Sequence, residues 1–256
     1  MGGRTFIVGF SPVARGQTAT SAGKVPAARK GMHMQMRRTL MAGAAAAAAL
    51  VTAVSMATTA SAATAVTHDV LTITKAKGTN VKVGAVLKAS LKPKTSAKFV
   101  SGGITVTCTK SSFTAKVTSN PRSPGTARES LTAQTATSCK LSGLPGVSVK
   151  SVVVKKLPYK TTVSSAKNHP VTVANASTTL NLKAGTSTIS CTFGAKKLSG
   201  KASNTGQVIS FTKQGFKLTG GNALCGTPGK TTGSFTATYG PVRDTSVKGS
   251  PKVFVN

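Results

Sequence analysis

From residue 69 onward the sequence consists of short segments in which apolar and polar residues alternate. This alternation is typical of strands that bury one face and expose the other. In Gly103–Thr109, for example, Ile104, Val106 and Cys108 fall on one face. The segments that we predict as strands are 69–74, 81–91, 103–109, 113–117, 147–157, 161–165, 171–174, 179–182, 188–193, 208–212, 216–218, 234–239 and 252–255.

Turn sequences separate these segments, and no stretch between them has the spacing of an amphipathic helix. Asn120-Pro121, Leu144-Pro145-Gly146 and Thr227-Pro228-Gly229 combine residues that favour turns. The wealth of threonine and valine suits strands better than helices. We therefore predict an all-β protein, an antiparallel β-sandwich or a closed sheet. An immunoglobulin-like arrangement is possible but less favoured, since no tryptophan lies between the cysteines to form the antibody-type core.

Residues 36–62 have the organisation of a secretory signal peptide. Arg37 and Arg38 supply the positive start, and residues 39–57 form an uncharged segment rich in alanine. Small residues precede a cleavage site between Ala62 and Ala63, as signal peptidase requires. We therefore predict a secreted protein, with possible association with the cell wall. General secretion is favoured over the twin-arginine route, and a retained transmembrane anchor is the less favoured alternative.

The signal peptide also divides the chain. Residues 1–35 are interpreted as an upstream extension that arises from a misassigned start, with Met32, Met34 and Met36 as candidate initiators. Residues 63–256 form the predicted mature β-sandwich domain, which is long enough for a substantial core. A weak internal repeat suggests two halves that meet near residues 166–176.

Four cysteines lie in the mature region, where export favours disulfides. Four cysteines permit three pairings. However, Ile104–Thr109 resembles Thr188–Thr192, and each segment contains a cysteine that is followed by a second one 31 or 34 residues later. A duplicated half with its own bridge predicts the pairs Cys108–Cys139 and Cys191–Cys225. Metal binding is disfavoured because no Cys-x-x-Cys motif is present.

The mature region is strongly basic. It holds 24 lysines and three arginines against three acidic residues, so 27 positive and three negative charges leave +24. Attraction to a polyanion and a solvated surface that resists aggregation are both consistent with this charge. The candidate polyanion-binding residues are Lys150, Lys155, Lys156 and Lys160. The expected partners are anionic envelope polymers or an anionic lipid surface. Specific nucleic-acid binding is disfavoured because arginine and aromatic residues are scarce.

The sequence contains no recognisable catalytic constellation. Its mature acids, Asp69, Glu129 and Asp244, are far apart, and His68 and His169 belong to no Ser-His-Asp pattern. No Walker loop, zinc helix or dinucleotide fingerprint occurs, so we predict no cofactor, no metal and no catalytic residues. The oligomeric state is left open.

Residues 120–139, 144–165 and 235–256 resemble the small secreted proteins of Streptomyces and related actinomycetes. The resemblance covers most of the mature region and implies an exported, β-rich, disulfide-bearing protein. It carries no catalytic residues. Our prediction is a secreted, strongly basic, non-enzymatic protein that associates with the cell envelope or anionic extracellular polymers. The alternatives are an extracellular hydrolase assembled from distant residues and a structural matrix protein without a specific ligand.

Overall fold

The computed structural model describes residues 67–256, so the predicted upstream extension, signal peptide and cleavage site at Ala62 and Ala63 lie outside the described residues. The described part is almost entirely antiparallel β-structure, with one short 3-10 helix, η1, at Ala223–Cys225. The strands are β1 Leu71–Ile73, β2 Thr79–Asn80, β3 Val86–Ser90, β4 Ala97–Ser101, β5 Ile104–Ser119, β6 Thr126–Ser142, β7 Val147–Lys155, β8 Tyr159–Ser164, β9 Pro170–Ala184, β10 Ser187–Ser203, β11 Val208–Gly220, β12 Thr232–Tyr239, β13 Arg243–Asp244 and β14 Val253–Val255.

The predicted all-β, sandwich-like fold is confirmed. Strand pairing runs from β5 through β6, β8, β9, β10, β11, β12 and β4, and then returns to β5. Strands β3 and β13 extend from β5, and β7 pairs with β9. The sheet is continuous on both sides of residues 166–176, because β8 pairs with β9 and β9 with β10. The inward-facing residues thereby share one enclosed interior.

A small sheet in the order β14-β1-β2 packs at one end of this interior. Asn120 holds it in place. The Leu71 amide donates to the Asn120 side-chain oxygen at 2.8 Å, while the Asn120 amide group donates to the carbonyls of Leu71 and Val81, each at 2.9 Å. Leu71, Val253 and Val255 face the same internal space as residues of the large sheet. The small sheet therefore closes this end of the core.

Aromatic rings fill much of the interior between the sheets. The Phe99 ring packs edge to face with Phe193, at a centroid distance of 4.7 Å, and with Phe216, at 5.9 Å. Phe113 and Tyr239 form a similar pair at 5.4 Å. Such pairs add stabilisation beyond the burial of apolar area. Small cavities remain beside these rings.

Several predicted strand boundaries are wrong. Segment 81–91 is a strand only from Val86, because the chain turns at Gly84 with a φ of +91°. The separate predictions 171–174 and 179–182 belong to one strand, β9, as do 208–212 and 216–218 in β11. The predicted interruptions coincide with kinks, since Asn175 and Lys213 adopt positive φ angles of 54° and 47°. Four strands, β2, β4, β6 and β13, lie where the pattern predicts none.

Both predicted disulfides are confirmed. Cys108 on β5 and Cys139 on β6 are direct cross-strand partners and form one bridge. Cys191 on β10 is joined to Cys225 in η1. The first bridge therefore joins two paired strands, whereas the second fixes the β11–β12 connection to the sheet. No free cysteine remains in residues 67–256.

Candidate functional site

The four predicted polyanion-binding lysines are all exposed, but they do not form one site. Lys150 lies on β7, where its ammonium group donates to the Thr188 hydroxyl at 3.3 Å. Lys155 ends β7, and Lys160 lies on β8. Of the four, only Lys156 lines an open groove on the surface of the described chain that contains further lysines. The sequence thus identified one residue of a basic groove whose other lysines come from distant strands.

This surface, which we call the lysine groove, carries four lysine side chains. They are Lys156, Lys196, Lys197 and Lys217, and the groove has a volume of about 1020 Å³. Its base is made largely of small residues, which include Gly194, Gly215 and Gly233. The glycines leave space between the lysines. Sequence patterns missed Lys196, Lys197 and Lys217 because no local motif links β10 to β11.

The groove exists because β10 and β11 separate along part of their length. The two strands are paired at Gly194 with Lys217 and again at Gly200 with Phe211, but not between these points. The strand on the other side of β10 is also kinked, at Asn175 of β9. The separated segments widen the surface and direct the adjacent Lys196 and Lys197 toward solvent.

The charged residues that line the lysine groove are all basic. The acidic residues of the described chain are Asp69, Glu129 and Asp244, and none of them lines the groove. Glu129 and Asp244 are buried, with exposed fractions of 8% and 1%. Lysine charges at the groove are therefore not neutralised by neighbouring carboxylates, and the local potential is positive.

Beneath the groove lies a partly filled interior. The interior holds three adjoining cavities of about 80, 50 and 30 Å³. The first two share the walls formed by Gln134, Tyr159, Leu198, Phe235 and Tyr239. We call this pair of spaces the central cavity. Its lining is mainly apolar.

The central cavity adjoins the lysine groove. Ala176, Ser177 and Phe216 line both of them. Ala176 and Ser177 follow the kink at Asn175, and Phe216 lies where β11 separates from β10. These three residues therefore separate the groove from the interior at this point.

Glu129 is the unusual polar residue of the interior. It lies on β6 between Val117 of β5 and Thr161 of β8, and its side chain faces the second and third cavities. Burial raises the pKa of the carboxyl group from 4.5 to about 7, with no opposing hydrogen bond or positive charge. The buried Thr161 hydroxyl lines the same cavity as Glu129 and has no hydrogen-bond partner.

The hydroxyl groups of the two tyrosines in the cavity wall, by contrast, have hydrogen-bond partners in the protein. The Tyr159 hydroxyl donates to the Ser177 carbonyl at 2.7 Å and accepts from the Ser177 amide at 2.8 Å. The Tyr239 hydroxyl is bonded to Ser111 at 2.9 Å and accepts from Gln134 at 3.3 Å. Burial raises the pKa of both phenols above 10, although these hydrogen bonds oppose the shift. Both therefore stay neutral at physiological pH.

The histidines are distant from the cavity residues. His68 contacts the Gly78 carbonyl at 3.2 Å, and His169 occupies the turn before β9. Neither histidine lines the cavities that contain Glu129. Across residues 67–256 no group of three or more histidine, cysteine or acidic side chains is arranged to hold a metal ion. That range also contains no helix of the length and hydrophobicity needed to cross a bilayer.

Comparison of the chain with models of known protein families, with curated proteins and with solved structures gives no match. The lysine groove and the central cavity are therefore the features of the described chain that bear on its function.

Proposed function

We propose that the protein is secreted, is not an enzyme, and binds anionic polymers of the cell envelope through its lysine groove. The observation that carries this proposal is the convergence of Lys156, Lys196, Lys197 and Lys217 on one open groove without an acidic residue. A regular polyanion presents a phosphate or carboxylate at each repeat. Several such groups can be bound together along a groove with positive walls.

The use of lysine indicates which kind of recognition is expected. A lysine ammonium is a compact charge on a flexible stem, whereas arginine recognises phosphate or carboxylate in a fixed bidentate geometry. The groove contains four lysines and no arginine. We therefore expect recognition of charge density and spacing more than of one chemical structure. Teichoic acid, a polymer of phosphodiesters, is the envelope component that best fits this requirement.

The proposed location rests on the sequence of residues 36–62 together with the disulfides. Disulfides persist in oxidising compartments and are rare in the cytosol. Cys108–Cys139 and Cys191–Cys225 are both formed. Export would place the lysine groove in contact with the envelope, where anionic polymers are abundant.

Replacing the four groove lysines by glutamine is expected to weaken binding to teichoic-acid-bearing cell walls by at least about tenfold. Each basic residue held near an anionic surface contributes on the order of 1 kcal/mol at physiological salt. Co-sedimentation with purified walls across a salt series provides the measurement. Binding of the wild type should decrease as salt increases, because ions screen the attraction.

The matched control replaces Lys75, Lys77, Lys82 and Lys248, which are exposed in loops near the small sheet and β13. It removes the same charge from elsewhere on the protein and should change binding less than threefold. Equal losses in the two variants would assign the charge to a diffuse or solubilising role. Undiminished binding to walls stripped of teichoic acid would also reject the proposal.

Filling the lysine groove with a bulky uncharged side chain should also weaken binding to the cell wall, although the charge of the protein is unchanged. Gly215 lies at its base, and a Cβ atom there would meet no other atom within 4 Å. Gly215→Trp should therefore fold normally, retain every lysine and reduce wall binding by roughly the same tenfold factor. Wild-type binding by this variant, with an unchanged melting temperature, would show that the shape of the groove is irrelevant.

A further inference from the structure

The central cavity is separate from the surface on which polymer binding is proposed. Its walls are apolar side chains such as Leu131, Val173 and Phe211. Protein interiors are normally packed to the density of organic crystals, and spaces of this size are few. A cavity of about 80 Å³ that adjoins another of about 50 Å³ is large enough to accept a small molecule.

Two polar groups in this cavity have unused hydrogen-bonding capacity. Thr161 is 6% exposed, and its hydroxyl oxygen lacks a partner. Glu129 is its direct cross-strand neighbour and is 8% exposed. Buried polar groups are nearly always hydrogen-bonded, because an unpartnered one loses its hydration without compensation. The nearby Tyr159 and Tyr239 already have protein partners.

We propose that the central cavity binds a small apolar molecule with one hydrogen-bond donor, which donates to the Glu129 carboxyl group. The apolar part occupies the space between Leu198, Phe235 and the two tyrosines. The Thr161 hydroxyl lies on the same wall as Glu129 and hydrogen-bonds to the same polar group of the ligand. An alcohol or an amine supplies the required chemistry.

The size of the space limits the ligand. A cavity of about 150 Å³ accommodates benzene in a well-studied engineered case. The two adjoining spaces here are slightly smaller in total. We therefore expect a ligand of about six or seven non-hydrogen atoms. A long acyl chain would require the strands to move apart.

The ligand is expected to pass between β10 and β11 at the base of the lysine groove. Ala176, Ser177 and Phe216 form the shared wall there. Because β10 and β11 are not paired between Gly194 and Gly200, a side-chain movement can open this wall without breaking backbone-to-backbone hydrogen bonds between them. Rotation of the Phe216 ring is the smallest change that would give access.

The test compares 1-hexanol with methyl pentyl ether, which has the same atoms but no donor. Dissociation constants are measured by NMR. Each compound is titrated into the purified protein at a pH of about 8, where Glu129 is ionised, and the shifts of the backbone amide resonances are followed. We expect 1-hexanol to bind at least about tenfold more tightly than the ether, as a hydrogen bond to a charged group requires. The perturbed amides should include those of Thr161 and Ala176.

Glu129→Leu removes the acceptor while keeping the cavity apolar, so the alcohol and the ether should then bind within about twofold of each other. Thr161→Val is the companion variant and should reduce the preference for alcohol by a smaller factor. Equal binding of the two probes to the wild-type protein, or no binding up to their solubility limits, would overturn the proposal. A preference for alcohol that survives in Glu129→Leu would overturn it as well.

Small-ligand binding and polymer binding can fail independently. Glu129→Leu leaves the lysine groove unchanged and should retain wall binding. The four-lysine variant should retain the affinity for 1-hexanol, since none of the substituted lysines lines the central cavity.

Discussion

Raising the pH from about 4 to about 8 is expected to lower the free energy of unfolding by about 3 kcal/mol through Glu129 alone. The pKa of this carboxyl group is about 7 in the folded protein and 4.5 in the absence of structure. Between these values the folded state holds the proton and the unfolded state releases it. Stability must then fall as the pH rises through this window, at about 1.4 kcal/mol per pKa unit.

The physical origin of this effect is desolvation without compensation. Glu129 lies inside the sheet, and burial is the cause of its raised pKa. Above a pH of about 7 the folded protein contains a buried carboxylate that is not paired with a lysine or arginine. Below a pH of about 4.5 the group is neutral in both states and has no effect on the pH dependence of stability.

Glu129→Gln isolates this contribution, because glutamine has nearly the same shape and does not titrate. The variant should match the wild type at a pH of about 4 and exceed its free energy of unfolding by about 3 kcal/mol at a pH of about 8. Urea denaturation at several pH values measures both curves. Repulsion among the lysines is common to the two proteins and cancels in the difference. A difference that is constant with pH would contradict the assignment.

Removal of either disulfide is expected to lower the free energy of unfolding by about 3 to 4 kcal/mol. The bridges close loops of 31 and 34 residues. In the chain-entropy description, such a loop restricts the unfolded chain by this amount, and its loss favours unfolding. For a domain of this size the melting temperature should fall by roughly 10 °C. Alanine replacements avoid the burial of new polar groups at Cys108 and Cys191.

The two bridges should differ in their local effects. Loss of Cys108–Cys139 leaves the extended β5–β6 pairing, so the amides around both residues should stay protected from hydrogen exchange. Loss of Cys191–Cys225 frees η1, whose residues are largely exposed, and protection should fall in the β11–β12 connection. Melting temperatures within about 2 °C of the wild type for both variants would contradict the expected contribution.

The sequence pattern predicts the strands in which β-branched residues alternate with polar ones. It misses strands that lack this alternation and are recognisable only by their hydrogen bonds to neighbouring strands. Strand β6 illustrates the second case. Its sequence contains alanine, serine and glutamine, and much of its surface is only half buried. It becomes a strand because it pairs with β5 along nearly its whole length and with β8 at its start. Such non-local hydrogen bonds leave little trace in local composition.

The disulfides were predictable because the repeated Ile104–Thr109 and Thr188–Thr192 segments distinguish between three possible pairings. The lysine groove was less predictable. Lys156 belongs to a segment in which lysines are close together in the sequence. Lys196, Lys197 and Lys217 have no sequence feature that distinguishes them from the other surface lysines. Their convergence depends on the separation of β10 from β11, which follows from packing across the whole sheet.

Sequence alone determined the all-β class, the pairing of the cysteines and the excess of positive charge, because each depends on residue type or short-range spacing. The tertiary structure decided which lysines share a groove, where the interior remains unfilled and which acidic residue is buried. Glu129 shows the difference most clearly. In the sequence it is one acid beside an arginine, but the pairing of β6 with β5 and β8 turns its carboxyl group into the interior, where burial raises its pKa.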